Sequence, residues 1–325
     1  MPMRFLPRPI LAILAALTTA GAVVAQEFPS RPITVVVPFA AGGPTDTLAR
    51  ILAERLKEHL GQTVIVENVV GAAGSVGVGR VARAAPDGYT LSLGNSGTHV
   101  LNGAMQSLAY DLMKDFEPVA FIADNPVLLV GKNALPAADL RELIAWINAN
   151  AGKITSGTSG VGAPSHVSGI YFQHLTNTQL QFVPYRGAGP ALQDLIAGQI
   201  DLMFDQVSNS LPHTRAGKLK AYAIAAKTRS VAASEIPTVD EAGLPGFHVS
   251  VWHGLWAPKG TSSAVISKLN VAINKTLDEP AVGRRLAELG QEIPFAAQRT
   301  TVAFSAYHKA EIDKWWPIIK AANIK

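Results

Sequence analysis

One supersecondary unit occurs twice in this chain, about 120 residues apart, and it limits the possible folds more than any other feature. The first copy is the β-branched run Ile33-Thr34-Val35-Val36-Val37, followed by the turn-rich Pro38-Phe39-Ala40-Ala41-Gly42-Gly43-Pro44-Thr45-Asp46. A helical pattern comes next, with Leu48, Ile51, Leu52 and Leu56 on one face. The second copy is shorter: Lys153-Ile154-Thr155 leads into Ser156-Gly157-Thr158-Ser159-Gly160-Val161-Gly162-Ala163-Pro164. Its helix carries Val167, Ile170, Tyr171, His174 and Leu175 at helical spacing. In both copies a strand ends in glycines and a helix starts near a proline, which the first helical position tolerates. The unpaired N–H groups and positive dipole end of such a helix attract anions. Taken singly, each glycine loop is equally well read as a tight turn. Taken as a pair, one per lobe, they form a two-sided clamp for a small carboxylate.

The first 25 residues read as an export signal. Arg4 and Arg8 form the basic region, Ile10 to Leu17 the apolar one, and Val23-Val24-Ala25 the cleavage site, so the mature chain is expected to start at Gln26 in the periplasm. No later run approaches the roughly 18 apolar residues a membrane span needs. Cysteine is absent, which excludes lipid attachment through a thiol and fits an exported chain whose core is large enough to fold unstapled. The formal charge of +4 falls to +2 without the two signal arginines, 26 basic residues against 24 acidic. These charges are scattered and give no nucleic-acid footprint.

Strand-like and helix-like segments alternate, which predicts an α/β fold with mostly parallel sheets. Strands are expected at Thr63 to Glu67, Tyr89 to Leu93, Pro118 to Ala123 and Val127 to Val130, then at Leu180 to Pro184, Ile200 to Phe204, Leu219 to Ala225 and Val249 to Trp256. Helices are expected from about Ala137 to Ala149 and Pro190 to Ala197. With no long linker, two lobes require the chain to cross between them twice, near Asp124 and Phe247. This places one discontinuous lobe at residues 26–124 plus 247–325 and the other at 125–246. A cleft between such lobes is a preferred place for a small ligand.

Catalytic constellations are scarce. No H-E-x-x-H pairing or G-x-S-x-G elbow occurs, and neither a cofactor nor a metal is implied. Gly71-Ala72-Ala73-Gly74-Ser75-Val76-Gly77 has a dinucleotide-like look, but it does not follow the first strand and lacks the later acidic partner, so these glycines read as turn and packing positions. Ser159 suits ligand hydrogen bonding and turn geometry equally. Asp205 ends an apolar strand, where its carboxylate either meets a ligand or caps the next helix. Asp46 reads as support for its loop, since a carboxylate beside an anionic ligand repels it. His166, in the first turn of the second helix, is a ligand contact or a capping and packing residue. Trp252 and Trp256 share one face of a strand in core or hinge packing.

Several stretches together resemble the Bug-type periplasmic solute receptors of tripartite tricarboxylate transporters. They are Phe28-Pro29-Ser30-Arg31-Pro32-Ile33, Val37-Pro38-Phe39 with Gly42-Gly43 and Asp46, and Ala85-Pro86-Asp87-Gly88-Tyr89-Thr90-Leu91. Further on come Val183-Pro184-Tyr185-Arg186-Gly187, Leu202-Met203-Phe204-Asp205, Ala216-Gly217-Lys218-Leu219, and Pro237-Thr238-Val239 with Glu241-Ala242-Gly243. The resemblance implies a two-lobed periplasmic binding protein of type II-like architecture, monomeric, that delivers a small carboxylate to membrane transporter subunits. The ligand is then a mono- or dicarboxylate, an amino acid or an aromatic acid. Its expected contacts are Phe39, Ala41, Gly42, Gly43, Thr45, Asp46 and Thr98 on one side and Ser156, Ser159, Gly160, Gly162, Ala163, His166 and Asp205 on the other. One stretch departs: the family's Glu-Asn-Arg-Pro-Gly-Ala-Gly-Gly is here Glu67-Asn68-Val69-Val70-Gly71-Ala72-Ala73-Gly74. A ligand-presenting sensory receptor and a periplasmic α/β enzyme are the alternative readings.

Overall fold

The computed structural model describes residues 27–321; the export signal expected at residues 1–25 lies outside them. In chain order the first part runs β1 (Ile33–Val37), α1 (Pro44–Leu60), β2 (Val64–Asn68), α2 (Ser75–Ala82), β3 (Thr90–Asn95), a π-helical turn at Gly97–Leu101, α3 (Asn102–Met105) and β4 (Phe116–Ala123). The second part is β5 (Val127–Lys132), α4 (Leu140–Ala149), β6 (Thr155–Thr158), α5 (Pro164–Thr176), β7 (Gln181–Pro184), α6 (Ala188–Ile196), β8 (Leu202–Gln206), α7 (Val207–Arg215) and β9 (Leu219–Ile224). The chain then returns through β10 (His253–Pro258), α8 (Ser263–Asp278), α9 (Pro280–Glu288) and α10 (Thr301–Ala321).

Two five-stranded sheets form, in the orders β2-β1-β3-β10-β4 and β7-β6-β8-β5-β9. They are mixed rather than simply parallel. In each sheet β2-β1-β3 or β7-β6-β8 pair in parallel, while one strand, β10 or β5, runs antiparallel to both neighbours. The reversed strand is in each case the first one laid down after the chain enters that lobe. Entering from the hinge side, it must run opposite to strands that head toward the cleft.

The β-branched residues of β1 explain its central place. Val35, Val36 and Val37 are buried on both faces, as a parallel strand covered by helices requires. On α1, Leu48, Leu52 and Leu56 repeat at four-residue spacing and are all buried against the first sheet. Truncating one of them to alanine costs about 2–5 kcal/mol. The helix stops at Gly61, whose left-handed φ of 69° lets its N–H reach the Lys57 carbonyl at 3.0 Å. Each sheet has a hydrophobic cluster on either face, so each lobe is a helix–sheet–helix sandwich.

Two segments change lobe side by side. The outgoing one contains Asp124 to Pro126, and the returning one runs from Val249 to Trp252, bridged antiparallel at Pro126 and Ser250. Sequence periodicity extends a strand through Val249 to Trp256, but regular pairing in the first sheet starts only at His253. The reason is that Val249 and Val251 donate their N–H groups to Ala225 and Asn125, in the hinge and second lobe. Phe247, Val249 and Val251 pack in the second sheet's core, whereas Trp252 joins the first lobe's. Trp252 therefore precedes β10, yet it packs on the same side as Trp256, with ring centroids 6.0 Å apart in one aromatic cluster. Both indoles are wholly buried; Trp256 stacks on His99 at 3.6 Å and Trp252 donates to Glu311 at 3.0 Å.

Candidate ligand site between the lobes

A cavity of about 380 Å³ opens between the lobes, lined by Pro38 and Phe39, Gly71 to Gly74, Gln106, Ser159 to Val161, and Tyr185-Arg186. The lobes touch around it. The Ala40 N–H donates to the Arg186 carbonyl at 3.4 Å, and a methyl on Gly97 would lie 2.3 Å from Pro164 Cδ. Helix α5 also presses Val167 into the first lobe's aromatic cluster. The structure is thus a closed state.

The first glycine loop joins β1 to α1, with Pro44 at the helix start and no side-chain cap. Gly42 takes a left-handed φ of 83° at the exposed tip beside Ala41, while Gly43 has an ordinary φ of −84° and is buried. Asp46 does the internal work. Its carboxylate accepts from the Gly42 N–H at 2.9 Å, from Arg50 at 2.9 and 3.0 Å, and from Asn68 at 2.9 Å. Burial acts to raise its pKa, but these donors together outweigh burial and hold the carboxyl below its ordinary value. The Thr45 hydroxyl sits 3.1 Å from Nε2 of His253, a buried residue 208 positions away whose ring burial keeps neutral. Among the described residues, the backbone N–H groups of Gly43, Thr45 and Asp46 have no acceptor, as expected for a first helical turn without a cap.

The second loop joins β6 to α5 and spends its donors on itself. The Ser159 N–H reaches Ser165 Oγ at 2.9 Å, that of Gly160 reaches Thr158 Oγ1 at 3.4 Å, and that of Ala163 reaches the Gly160 carbonyl at 3.1 Å. The Gly162 N–H donates to Nδ1 of His166 at 3.0 Å, which fixes the proton of that imidazole on Nε2. Burial lowers the His166 pKa, and the ring edge rests on Phe182 at 4.7 Å. Gly160, at φ 131°, brings its backbone against Ala73 across the cavity.

Of the sequence-predicted contacts, Phe39, Ser159 and Gly160 line the cavity together, and Gly162 faces Met105 and Gln106 across it. Three others lie away from it. Thr98 is wholly buried, its hydroxyl exchanging hydrogen bonds with the Asn95 backbone and lying 2.9 Å from His99 Nδ1. Ser156 is wholly buried in β6 and does not line the cavity. Asp205 is buried at the end of β8, where Ser210 and, at 2.7 Å, Asn209 of α7 donate to its carboxylate; burial pushes its pKa up to about 6 despite them.

Sequence reasoning missed two lining segments. From Gly71 to Gly74 every φ is positive, including Ala72 at 45° and Ala73 at 51°. Left-handed alanines cost roughly 1–2 kcal/mol each, and such strain concentrates where backbone must be presented. Asn102 holds the run by donating to the Ala73 carbonyl at 3.1 Å. The other segment, Tyr185 to Gly189, brings the start of α6 to the start of α1, so that a methyl on Gly189 would lie 3.4 Å from Gly43 N. The glycines of Arg186-Gly187-Ala188-Gly189 were the available signal. Their placement against α1 was not.

The family model described as the tripartite tricarboxylate transporter family receptor matches residues 48–324. Protein BugT of Bordetella pertussis is 36% identical over 314 residues, covering 96% of this chain and 95% of that protein. Among solved structures, MatC from Rhodopseudomonas palustris with bound malate superposes with a TM-score of 0.87 at 43% identity, over 90% of this chain and all (100%) of that one. R. palustris Rpa4515 with adipate gives 0.87 at 33% identity, over 92% and 99%. The chain, with its two α/β lobes closed over a cleft, therefore belongs to the tripartite tricarboxylate transporter receptor family, and is a solute-binding receptor of the Bug type.

Proposed function

We propose that this receptor works in the periplasm, closing its lobes on a small organic carboxylate and delivering it to the membrane subunits of a tripartite transporter. The observation that carries the reading is the uncommitted set of N–H groups on Gly43, Thr45 and Asp46, at the positive end of α1, in the loop that continues from the cavity-lining Pro38 and Phe39. A carboxylate accepting two of them gains charge-assisted hydrogen bonds of about 1.5–3 kcal/mol each, and the dipole of α1 adds to them. The malate and adipate in the two related structures are ligands of this class.

The hinge segments at 124–126 and 249–252 divide the lobes in this reading, which moves the return boundary a few residues past Phe247. The mature chain begins near Gln26 and acts as a monomer. It carries out no chemistry in this reading: the hydroxyl of Ser159, a cavity-lining residue, pairs with Ser165 at 3.1 Å and not with a base.

A thermal-shift screen against a carboxylate library tests the proposal, with calorimetry on the hits. A ligand at 100 times its Kd should stabilise the protein by about 2.7 kcal/mol. Failure of every carboxylate to stabilise it, or mass-spectrometric turnover of a tight ligand, overturns the reading.

A further inference from the structure

Asn102, at the start of α3, is wholly buried and does not line the cavity between the lobes, yet its side chain joins two segments that do. Its Nδ2 donates to the Ala73 carbonyl at 3.1 Å, and its Oδ1 accepts from Gln106 Nε2 at 3.3 Å. A carbonyl only accepts, so the amide has one possible orientation here, and both of its ends are used. The run it holds is a costly one. Ala72 and Ala73 take left-handed φ values of 45° and 51° in succession, a conformation that persists only where the surroundings impose it. The two joined segments are also where the second lobe lands. A methyl on Gly160 would lie 3.4 Å from Ala73 Cα, and one on Gly162 would lie 3.2 Å from Met105 Cε and 3.6 Å from Gln106 Nε2.

We propose that Asn102 is a positioning residue for lobe closure: it holds Ala73 and Gln106 in the arrangement that the second lobe's glycine loop meets, and so sets ligand affinity without touching the ligand. The inference rests on the carboxylate reading above and adds what controls closure at that site. Gly160 and Gly162 carry no side chain that could repack around a displaced partner, so the fit depends on where the first-lobe segments stand. Without the Asn102 amide, Ala73 is free to leave the left-handed region and Gln106 loses its anchor. The closed state then becomes less favourable relative to the open one. Ligand binds more weakly because its binding must also reorder the first-lobe wall.

Calorimetry on folded variants decides the matter, with malate, adipate and the tightest acid from the carboxylate screen as probes. Asn102→Leu, similar in size but without polar atoms, should weaken each acid that the wild type binds by about ten- to a hundredfold. Ala73→Gly alone should stay within about threefold, since glycine takes a left-handed φ at no steric cost. Combined with Ala73→Gly, Asn102→Leu should cost at least about threefold less than it does alone, because the run no longer has to be held against strain. Circular dichroism and urea unfolding identify the folded variants. Should Asn102→Leu not fold, Asn102→Ser, too short to span both partners, takes its place. An affinity of Asn102→Leu within about threefold of the wild type, or a loss equally large beside Ala73→Gly, overturns the role of Asn102 and leaves the carboxylate reading standing. A wild type that binds none of these acids overturns both.

Discussion

In the first lobe the loop after β1 leaves the N–H groups of Gly43, Thr45 and Asp46 uncommitted; in the second, the loop after β6 spends those of Ser159, Gly160, Gly162 and Ala163 on Ser165, Thr158, His166 and Gly160. The sheets behind the two loops have equivalent strand orders, and both helices begin with proline. The difference lies in a few side chains. Asp46 takes one N–H and leaves three others free, whereas Ser165, Thr158 and His166 together satisfy most of the second loop. The same supersecondary unit thus gives a donor-rich surface on one side and a self-supporting wall on the other. A two-sided clamp built from equivalent halves, which the repeat suggests, becomes a division of labour: one loop offers hydrogen bonds, and the other closes against it.

The largest test of this asymmetry uses the glycines. Gly160→Val should cost at least about a hundredfold in ligand affinity, roughly 3 kcal/mol. Its φ of 131° suits glycine, and an added Cβ would sit 3.4 Å from Ala73 Cα of the other lobe, resisting closure. Gly43→Ala should stay within about threefold, because its φ is ordinary and the new methyl meets only Ala40 O and Gly189 N, both at 3.7 Å. Calorimetry on folded variants reads both; equal losses would mean the loops are equivalent after all.

A second test uses the two buried aspartates, one per lobe, whose environments act in opposite directions. Asp205 has its pKa pushed up to about 6, above the ordinary 3.8. A raised acid pKa means the folded state holds its proton longer than the unfolded chain does. The associated stability is present below about pH 4 and is lost as pH rises to about 6. Comparing wild type with Asp205→Asn over that range should reveal a pH-dependent difference on the order of 2 kcal/mol. Asp46 has the reverse sign. Its lowered pKa gives stability that is present above pH 4 and is lost as pH falls below it, so Asp46→Asn should flatten only the acid limb. Melting temperatures that change in the same direction for both variants would falsify the contrast.

The smallest expected effect belongs to Ser159→Ala. In the self-satisfied loop its hydroxyl is one of two partners around Ser165, and its own N–H remains bound. Loss of one neutral hydrogen bond should weaken ligand binding by about 0.5–1.5 kcal/mol at most. A loss above tenfold by calorimetry would make Ser159 a principal ligand contact and give the second loop a donor role.

Local order along the chain determined much of this protein. Runs of valine and isoleucine, leucines at four-residue spacing, prolines opening helices and glycines closing them define elements from neighbours within one or two turns. Nearly every expected strand appears within a few residues of its place. Phe39, Ser159 and Gly160 were legible as site residues for the same reason, because a glycine loop between strand and helix carries its chemistry locally. The tertiary structure alone decided which of the loop donors remained free. Thr45 finds His253 at a separation of 208 residues, Asp46 finds Asn68 at 22, and Gly160 meets Ala73 from the opposite lobe. It also decided that the chain turns at Val249 to Trp252, where hydrogen bonds to the hinge outweigh a continuous apolar pattern. A hydrogen-bond donor can be counted in a sequence, but its partner is fixed only when distant segments are packed together. Local periodicity therefore specifies the scaffold, while the site depends on contacts that periodicity does not encode.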